Sequence, residues 1–530
     1  MKQQLLTWIE KLENGSSPPI VLFLTLQSII FIRLVLEPAV YYPGQIINTV
    51  NYLLHFNFFF LSLFLSICLI LARMTNEKMG KVIRLALPFM ILIWLPPILD
   101  FIISGFGSTP INNIVYILGD WDFVLRQYVT FFSDMGSFSA TIGPKTEIIL
   151  MLLGTSGYVW LKSGKWTLAL LMVFIVYTVV FLYGTFPVQV YHPAEFRQAH
   201  GHQYFLPIGR ARSSLFLFIL FFQVLLWMKL DFPDKFKTIL SNLRPLRVAH
   251  YLGMLGLGFY LGFLKFGSAW KSYDWTLWGS AALLLIAVIF IWLSSVFLND
   301  IVDMEGDRLS NPDRPLLNGK INVRESYILG LVFFIIALIC AGTLNWASLH
   351  IVLFCGSISI AYSFPPLRLK RFPVISTFLI ASASLALVAL GFMLFSKADL
   401  RLTHQVGNHL LTGFPRPIAA MLLICFTLSF NTKDLKDIKG DRATGTWTLP
   451  VLFGETWGKR SIGLLVLLSY AMVPWILDLK QLFWASLLAG FLNIWFITRP
   501  KTNETLVFIV YYSYMSIVAF YVLQNPMVLF

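Results

Sequence analysis

The chain has 530 residues, of which 57% fall in the AVILMFWYC class and 12% are charged, against about 25% charged in an ordinary soluble domain. Such a composition cannot cover a water-facing surface, and 48 Phe, 20 Tyr and 16 Trp demand burial in protein or lipid, so a soluble enzyme and a disordered chain are both excluded. The net charge of +14 reads first as a membrane-topology signal and only then as a hint of anionic ligands, and no nucleic-acid partner is expected.

Long continuous apolar runs point to an all-α polytopic membrane protein in a lipid bilayer, because barrel strands would alternate instead. Met1–Glu13 is polar, and the first span, from Pro19, reads as a retained anchor. Further spans begin near Tyr52, Val82, Thr146, Trp166 and Ser213, giving six in the first 230 residues. Arg33 and Glu37 stand four apart in the first of them and are expected to pair. The loops near Gly105–Lys145 and Pro187–Arg212 carry Asp120, Asp122, Asp134, His192, Glu195, Arg197, His200, His202, Arg210 and Arg212. They show no motif, and His200-x-His202 is too close for two ligands on one helical face. Cys68, Cys340, Cys355 and Cys425 sit inside apolar runs and read as small core residues.

The polar stretch Lys229–Arg247 separates this module (1–230) from a second one. A linker is expected over 231–245 and a membrane domain over 246–530. Nine spans follow the linker: Leu246–Leu264, Leu277–Leu298, Ser326–Gly342, Ala347–Ser363, Pro373–Phe395, Pro415–Phe430, Ser461–Leu479, Leu482–Ile497 and Thr505–Leu523. The total is about fifteen. With a cytoplasmic N-terminus, 27 of the 40 Lys and Arg fall in cytoplasmic segments and 11 on the other side, with Arg33 and Lys229 in or at the end of spans.

The second half contains an internal repeat. Asp300-Ile-Val-Asp303-Met-Glu-Gly306-Asp307-Arg308 returns 134 residues later as Asp434-Leu-Lys-Asp437-Ile-Lys-Gly440-Asp441-Arg442. Both copies follow an even number of intervening spans and so emerge on one side, expected to be the cytoplasmic face of the cell membrane. At about 100° per residue, Asn299, Asp300, Asp303 and Asp307 share one helical face, as do Asn431, Asp434, Asp437 and Asp441, while Lys436 and Lys439 point elsewhere. Each copy should extend a membrane helix by two turns. Six carboxylates on one cavity would repel without a counter-charge. Oxygen ligands with no His or Cys suit Mg²⁺, which takes a few carboxylates and completes its shell with water and phosphate.

These motifs carry a resemblance. Asn299-Asp300-x-x-Asp303-x-x-x-Asp307 with Asn311-Pro312-Asp313-Arg314-Pro315-Leu316 behind it, and Asp434-x-x-Asp437-x-x-x-Asp441 with Gly445 and Thr448-Leu449-Pro450 behind it, resemble the two aspartate motifs of the UbiA family of intramembrane prenyltransferases. Tyr362-Ser-Phe-Pro365-Pro366-Leu-Arg368-Leu-Lys370 resembles the segment that the family carries between them. The resemblance covers about 240–530, matches the family's nine helices and leaves 1–230 unexplained.

It implies a Mg²⁺-dependent transferase that ionises a prenyl diphosphate and moves its polyprenyl group to a lipophilic or aromatic acceptor. Asp300, Asp303, Asp307, Asp434, Asp437 and Asp441 would hold the metal, with Asp303, Asp437, Lys370 and Tyr362 acting catalytically. Asn299, Arg308, Arg368, Lys370 and Arg442 would bind the diphosphate, though Arg308 and Arg442 read equally as partners of neighbouring aspartates, Arg368 and Lys370 as topology charges, and Tyr362 as an interfacial aromatic. A secondary transporter with acidic coupling-ion sites remains as an alternative, as do the family's phosphoribosyl transferases and terpene cyclases. Against the transporter, these aspartates lie at helix ends rather than near the midplane.

Overall fold

The computed structural model describes residues 2–42, 49–108, 116–117, 119–134, 140–190, 208–267, 275–395, 411, 413–500 and 502–524. Every regular element among them is helical, as spanning a bilayer requires of chains whose backbone polar groups must be satisfied internally. Among the described residues, thirteen helical stretches are long and apolar enough to cross a membrane, so the chain is a multi-pass membrane protein. The two remaining expected spans do form 22-residue helices, Ile142–Ser163 and Pro245–Phe266. Lys145, Glu147 and Lys162 in one, and Arg247, His250 and Lys265 in the other, dilute their apolar character. This is why thirteen rather than fifteen stand out.

Contacts divide the chain into two compact units, Met1–Pro233 and Asp234–Phe530. The first contains α1 (Lys2–Glu13), α2 (Pro19–Tyr41), α3 (Thr49–Thr75), α4 (Met79–Ala86), α5 (Leu95–Ile103), α6 (Trp121–Thr130), α7 (Ile142–Ser163), α8 (Trp166–Gln189) and α9 (Ile208–Asp231). Buried Glu13 accepts hydrogen bonds from Tyr158 Oη (2.8 Å) and Lys162 Nζ (2.7 Å), tying α1 to α7. Buried Asp100 accepts from Tyr41 Oη (2.6 Å) and from the Gly143 amide (2.8 Å), tying α5 to α2 and α7. Arg33 and Glu37 do pair, at 3.3 Å. Of the loop residues singled out above, His192, Glu195, Arg197, His200 and His202 lie outside the described residues.

The second unit follows with α10 (Pro233–Ser241), α11 (Pro245–Phe266), α12 (Trp275–Val302), α13 (Met304–Ser310), α14 (Val323–Leu344), α15 (Trp346–Ser363) and α16 (Pro373–Phe395). It ends with α17 (Arg416–Ser429), α18 (Ile438–Ala443), α19 (Leu449–Ile476), α20 (Phe483–Thr498) and α21 (Glu504–Gln524). The stretch read as a linker is therefore largely helical. Helix starts follow local chemistry: Asn322 and Glu325 form a capping box on α14, and the Asn345 side chain caps α15. Helices α11 and α16 cross closely, because a Cβ at Gly258 would stand 2.1 Å from the Val388 carbonyl oxygen and one at Gly391 2.3 Å from that of Leu255. Helix α19 begins twelve residues before the expected span, and its first turn is set off by Gly454 at φ 78°.

Candidate active site

Each aspartate motif begins as the end of a long apolar helix and then breaks. The first leaves α12 at Val302, turns at Asp303 (φ −92°, ψ 5°) and resumes as α13. The second passes from α17 through a 3₁₀ turn over Phe430–Leu435, turns at Asp437 (φ −99°, ψ 7°) and resumes as α18. The repeat thus yields two helix–break–helix elements, not the two continuous extensions expected, with the break at the second aspartate of each.

The glycine of the repeat explains how the copies meet. A Cβ at Gly440 would stand 2.5 Å from the Gly306 carbonyl oxygen and 2.8 Å from Ser310 Oγ, so α13 and α18 touch backbone to backbone. The Gly440 amide donates to Ser310 Oγ (3.0 Å) across this contact. Asn311 Nδ2 donates both to Asp307 Oδ1 (3.0 Å) and to Asp437 Oδ1 (2.9 Å), linking a carboxylate of one motif to one of the other.

Above this crossing opens a cavity of about 580 Å³ lined by Asn299, Asp303, Asp307, Asp434, Asp437, Asp441, Tyr362 and Lys370. It continues into the apolar interior past Val288, Ile291, Ile380, Leu387 and Phe430. Asn299 receives Ser363 Oγ (2.7 Å) and Lys370 Nζ (3.2 Å) on its carbonyl oxygen, and its amide donates to Asp303 (2.8 Å). The Lys370 ammonium pairs directly with Asp303.

Four expected site residues lie elsewhere. Asp300 is buried and engaged by Arg244 Nη2 (2.9 Å) and Arg314 Nη1 (2.5 Å), so its carboxylate buttresses the motif instead of lining the cavity. Arg314 also pairs with Asp307. Arg308 and Arg442 are exposed and do not line the cavity, because each follows the turn of helix that faces the opposite copy. Arg368 stays off the cavity lining but brings its guanidinium 3.9 Å from Asp303.

Six cations on the lining were missed: Arg244, Arg247, Arg314, Lys433, Lys436 and Lys459. Lys433 lines the cavity, pairs with Asp434 (2.6 Å) and lies 5.7 Å from the centre of the Tyr362 ring. Lys436, expected to point away, lines it too and pairs with Glu504 (3.2 Å). The 3₁₀ turn rotates both from the positions that a continuous α-helix would give them. Outside the spans, burial pushes the Asp307 carboxyl up to about 6, partly offset by Arg314. Burial and then the charges of Asp434 and Asp437 push Asp441 up to about 7. Burial lowers the Lys370 ammonium, and Asp303 opposes the shift.

The donor set fits a hard cation. Buried Asp434 Oδ2 accepts no hydrogen bond among the described residues. The other groups that the two motifs bring to the cavity as possible ligands are the carboxylate oxygens of Asp303, Asp307, Asp437 and Asp441 and the amide oxygen of Asn299. Among the described residues no three His, Cys, Asp or Glu groups stand close enough to hold an ion by themselves. That suits Mg²⁺, which commonly takes one or two carboxylates and leaves the rest of its octahedron to water and phosphate.

The model of the UbiA prenyltransferase family matches residues 260–513. Homogentisate phytyltransferase of Synechocystis sp. is 30% identical over 227 residues, 39% of this chain and 70% of that protein. The chain belongs to the UbiA family. Digeranylgeranylglyceryl phosphate synthase of Methanothrix thermoacetophila is 29% identical over 48% of this chain and 88% of that protein. The chain spans 47% of the length of a 2-acylphloroglucinol 4-prenyltransferase of Humulus lupulus, at 32% identity. A UbiA homologue of Archaeoglobus fulgidus, solved with GPP and Mg²⁺, is 20% identical over 55% of this chain and 99% of that one, with a TM-score of 0.40. The family match lies wholly within the second unit.

Proposed function

We propose that residues 234–530 form a Mg²⁺-dependent membrane prenyltransferase, with the aspartate motifs at the cytoplasmic face of a cell membrane, and that residues 1–233 are a fused accessory module. The observation that carries this reading is one cavity with paired carboxylates and lysines at its mouth and an apolar continuation into the bundle. A prenyl diphosphate has the matching shape: about three negative charges on a long hydrocarbon. The names of the relatives, which refer to 2-acylphloroglucinol, homogentisate and a digeranylgeranylglyceryl phosphate, support an aromatic or lipophilic acceptor.

Of Asp303, Asp307, Asp434, Asp437 and Asp441, one or two at a time would ligate a metal ion whose shell water and diphosphate complete, and Asp300 would serve as a buttress. When bound, the metal supplies electrostatic stabilisation of the negative charge that develops on the departing pyrophosphate. Lys370 and Lys433, both on the cavity lining, would bind diphosphate oxygens. Each would exchange its aspartate partner for phosphate as the substrate enters. The Tyr362 ring, which lies 5.7 Å from Lys433 Nζ, would stabilise the allylic cation through its π-system. The apolar walls exclude water from that cation, so the acceptor competes without hydrolysis.

The test is pyrophosphate release by purified full-length protein offered geranyl, farnesyl and geranylgeranyl diphosphates with membrane lipid extract as acceptor. Release that requires Mg²⁺ and stops with chelator is expected. No release with any of the three would reject the reading.

A further inference from the structure

Beneath the carboxylates, the wall of the same cavity carries polar groups that a hydrocarbon tail does not need. Asn493 on α20 is 1% exposed. Its Nδ2 donates to Tyr470 Oη of α19 (3.0 Å), while its Oδ1 is buried without a hydrogen-bond partner. Both residues line the cavity. A buried amide oxygen left unmet is destabilising, and exchanging the amide's O and N only turns the unmet acceptor into an unmet donor.

A second set faces the same space from α11 and α21. His250 Nε2 lies 3.0 Å from Ser384 Oγ, and Ser384 donates its own hydrogen to the Ile380 carbonyl (3.0 Å). The hydroxyl can therefore only accept from the imidazole, which places the hydrogen on Nε2. His250 Nδ1 is then the acceptor for Tyr511 Oη at 2.8 Å. This chain spends the Tyr511 hydrogen on the histidine and leaves the phenol oxygen's lone pairs to the cavity. Tyr470 accepts from Asn493, and its own hydrogen finds no acceptor among the described residues.

The wall thus offers hydrogen-bond acceptors at Asn493 and Tyr511 and a donor at Tyr470, set among Phe430, Val466 and Phe508. We infer that Asn493, Tyr470 and Tyr511 form the acceptor subsite and select a neutral, hydroxyl-bearing lipophilic acceptor, such as an uncharged phenol, over a carboxylate. A hydroxyl both donates and accepts, so it satisfies Asn493 in either amide orientation. A carboxylate would face the acceptor lone pairs of Asn493 and Tyr511, while the cations that share the lining, Arg247, Lys436 and Lys459, are already paired with Glu504 and Glu455. The inference rests on the prenyl-transfer reading for the word acceptor, but the binding site is testable without it.

The experiment measures equilibrium binding of three probes to full-length protein in detergent: 5-pentylresorcinol, its dimethyl ether and 4-hydroxybenzoate. Farnesyl diphosphate with Mg²⁺ is titrated in a separate arm. The resorcinol is expected to bind at least tenfold tighter than either other probe, because a site built around a hydroxyl rejects analogues that leave its polar groups unpaired. Asn493→Leu and Tyr511→Phe should each weaken resorcinol about tenfold and bring it close to the ether, with farnesyl diphosphate binding retained. Equal affinity for resorcinol and ether, no resorcinol binding, or unchanged binding in both variants would overturn the subsite. Should Asn493→Leu not fold, the wild-type comparison of resorcinol with ether decides alone. Loss of farnesyl diphosphate binding in wild type, with resorcinol discrimination kept, would sink the prenyl-transfer reading and leave the subsite standing.

Discussion

Lys370 is buried, pairs with Asp303 and contacts Asn299, so it has work to do even before a substrate arrives. Lys370→Ala should raise the Kd for prenyl diphosphate tenfold or more, and Lys370→Arg should recover part of that loss. Identical affinity in both variants and wild type, read by titration calorimetry, would reduce it to a topology charge. The raised carboxyls make a second prediction. Asp307 and Asp441 hold protons to about 6 and about 7, against 3.8 for an ordinary aspartate, so folding is coupled to their protonation. Their contribution to stability is full below pH about 4 and is lost as pH rises through 6 to 7. Melting temperature in chelator should therefore fall over that window, and Asp441→Asn should flatten the slope. A slope of equal size in the variant would contradict the assignment. The oxygen-only chemistry and the common face of Asn299 and Asp303 were legible from residue types and spacing. The capture of Asp300 by Arg244 and Arg314 was not, because those partners lie 56 and 14 residues away across turns that periodicity does not describe.

Between α13 and α18 the decisive residues are glycines, which hydropathy does not register. The repeat announces that two similar elements exist, but only their approach explains why each keeps Gly two positions before its last motif residue. Gly440→Leu should drive a side chain into the Gly306 carbonyl and Ser310, separate the motifs and remove most Mg²⁺-dependent prenyl diphosphate binding, while the apolar helices still insert. Normal diphosphate affinity in Gly440→Leu would show that the close crossing is dispensable. The breaks at Asp303 and Asp437 were invisible to a 100° rotation rule, which assumes one helix throughout. For the same reason Lys436 was assigned to the wrong face. The long spans fared better, since about 20 apolar residues specify a membrane helix almost regardless of context. The two charged helices, α7 and α11, keep their helical form while losing the plain hydropathy of their neighbours.

At the scale of the whole chain, both motifs, the cavity and the family match lie in the second unit. Residues 234–530 expressed alone should therefore bind farnesyl diphosphate with Mg²⁺ within about threefold of the full chain, measured in detergent. A folded fragment that binds but cannot turn over would place part of the active site in the first unit. Composition alone established the membrane class, and the repeat marked the candidate site. The role of residues 1–233 stayed unread because their polar residues follow no motif with a known chemical logic. The central claim is that the two aspartate motifs act together on one diphosphate, and the Asp303→Ala/Asp437→Ala double variant addresses it most directly. Removing metal ligands at a transition state that develops charge should cost several kcal/mol, so Mg²⁺-dependent pyrophosphate release should fall by about three orders of magnitude or more in a protein that still folds. Release within tenfold of wild type would contradict the account.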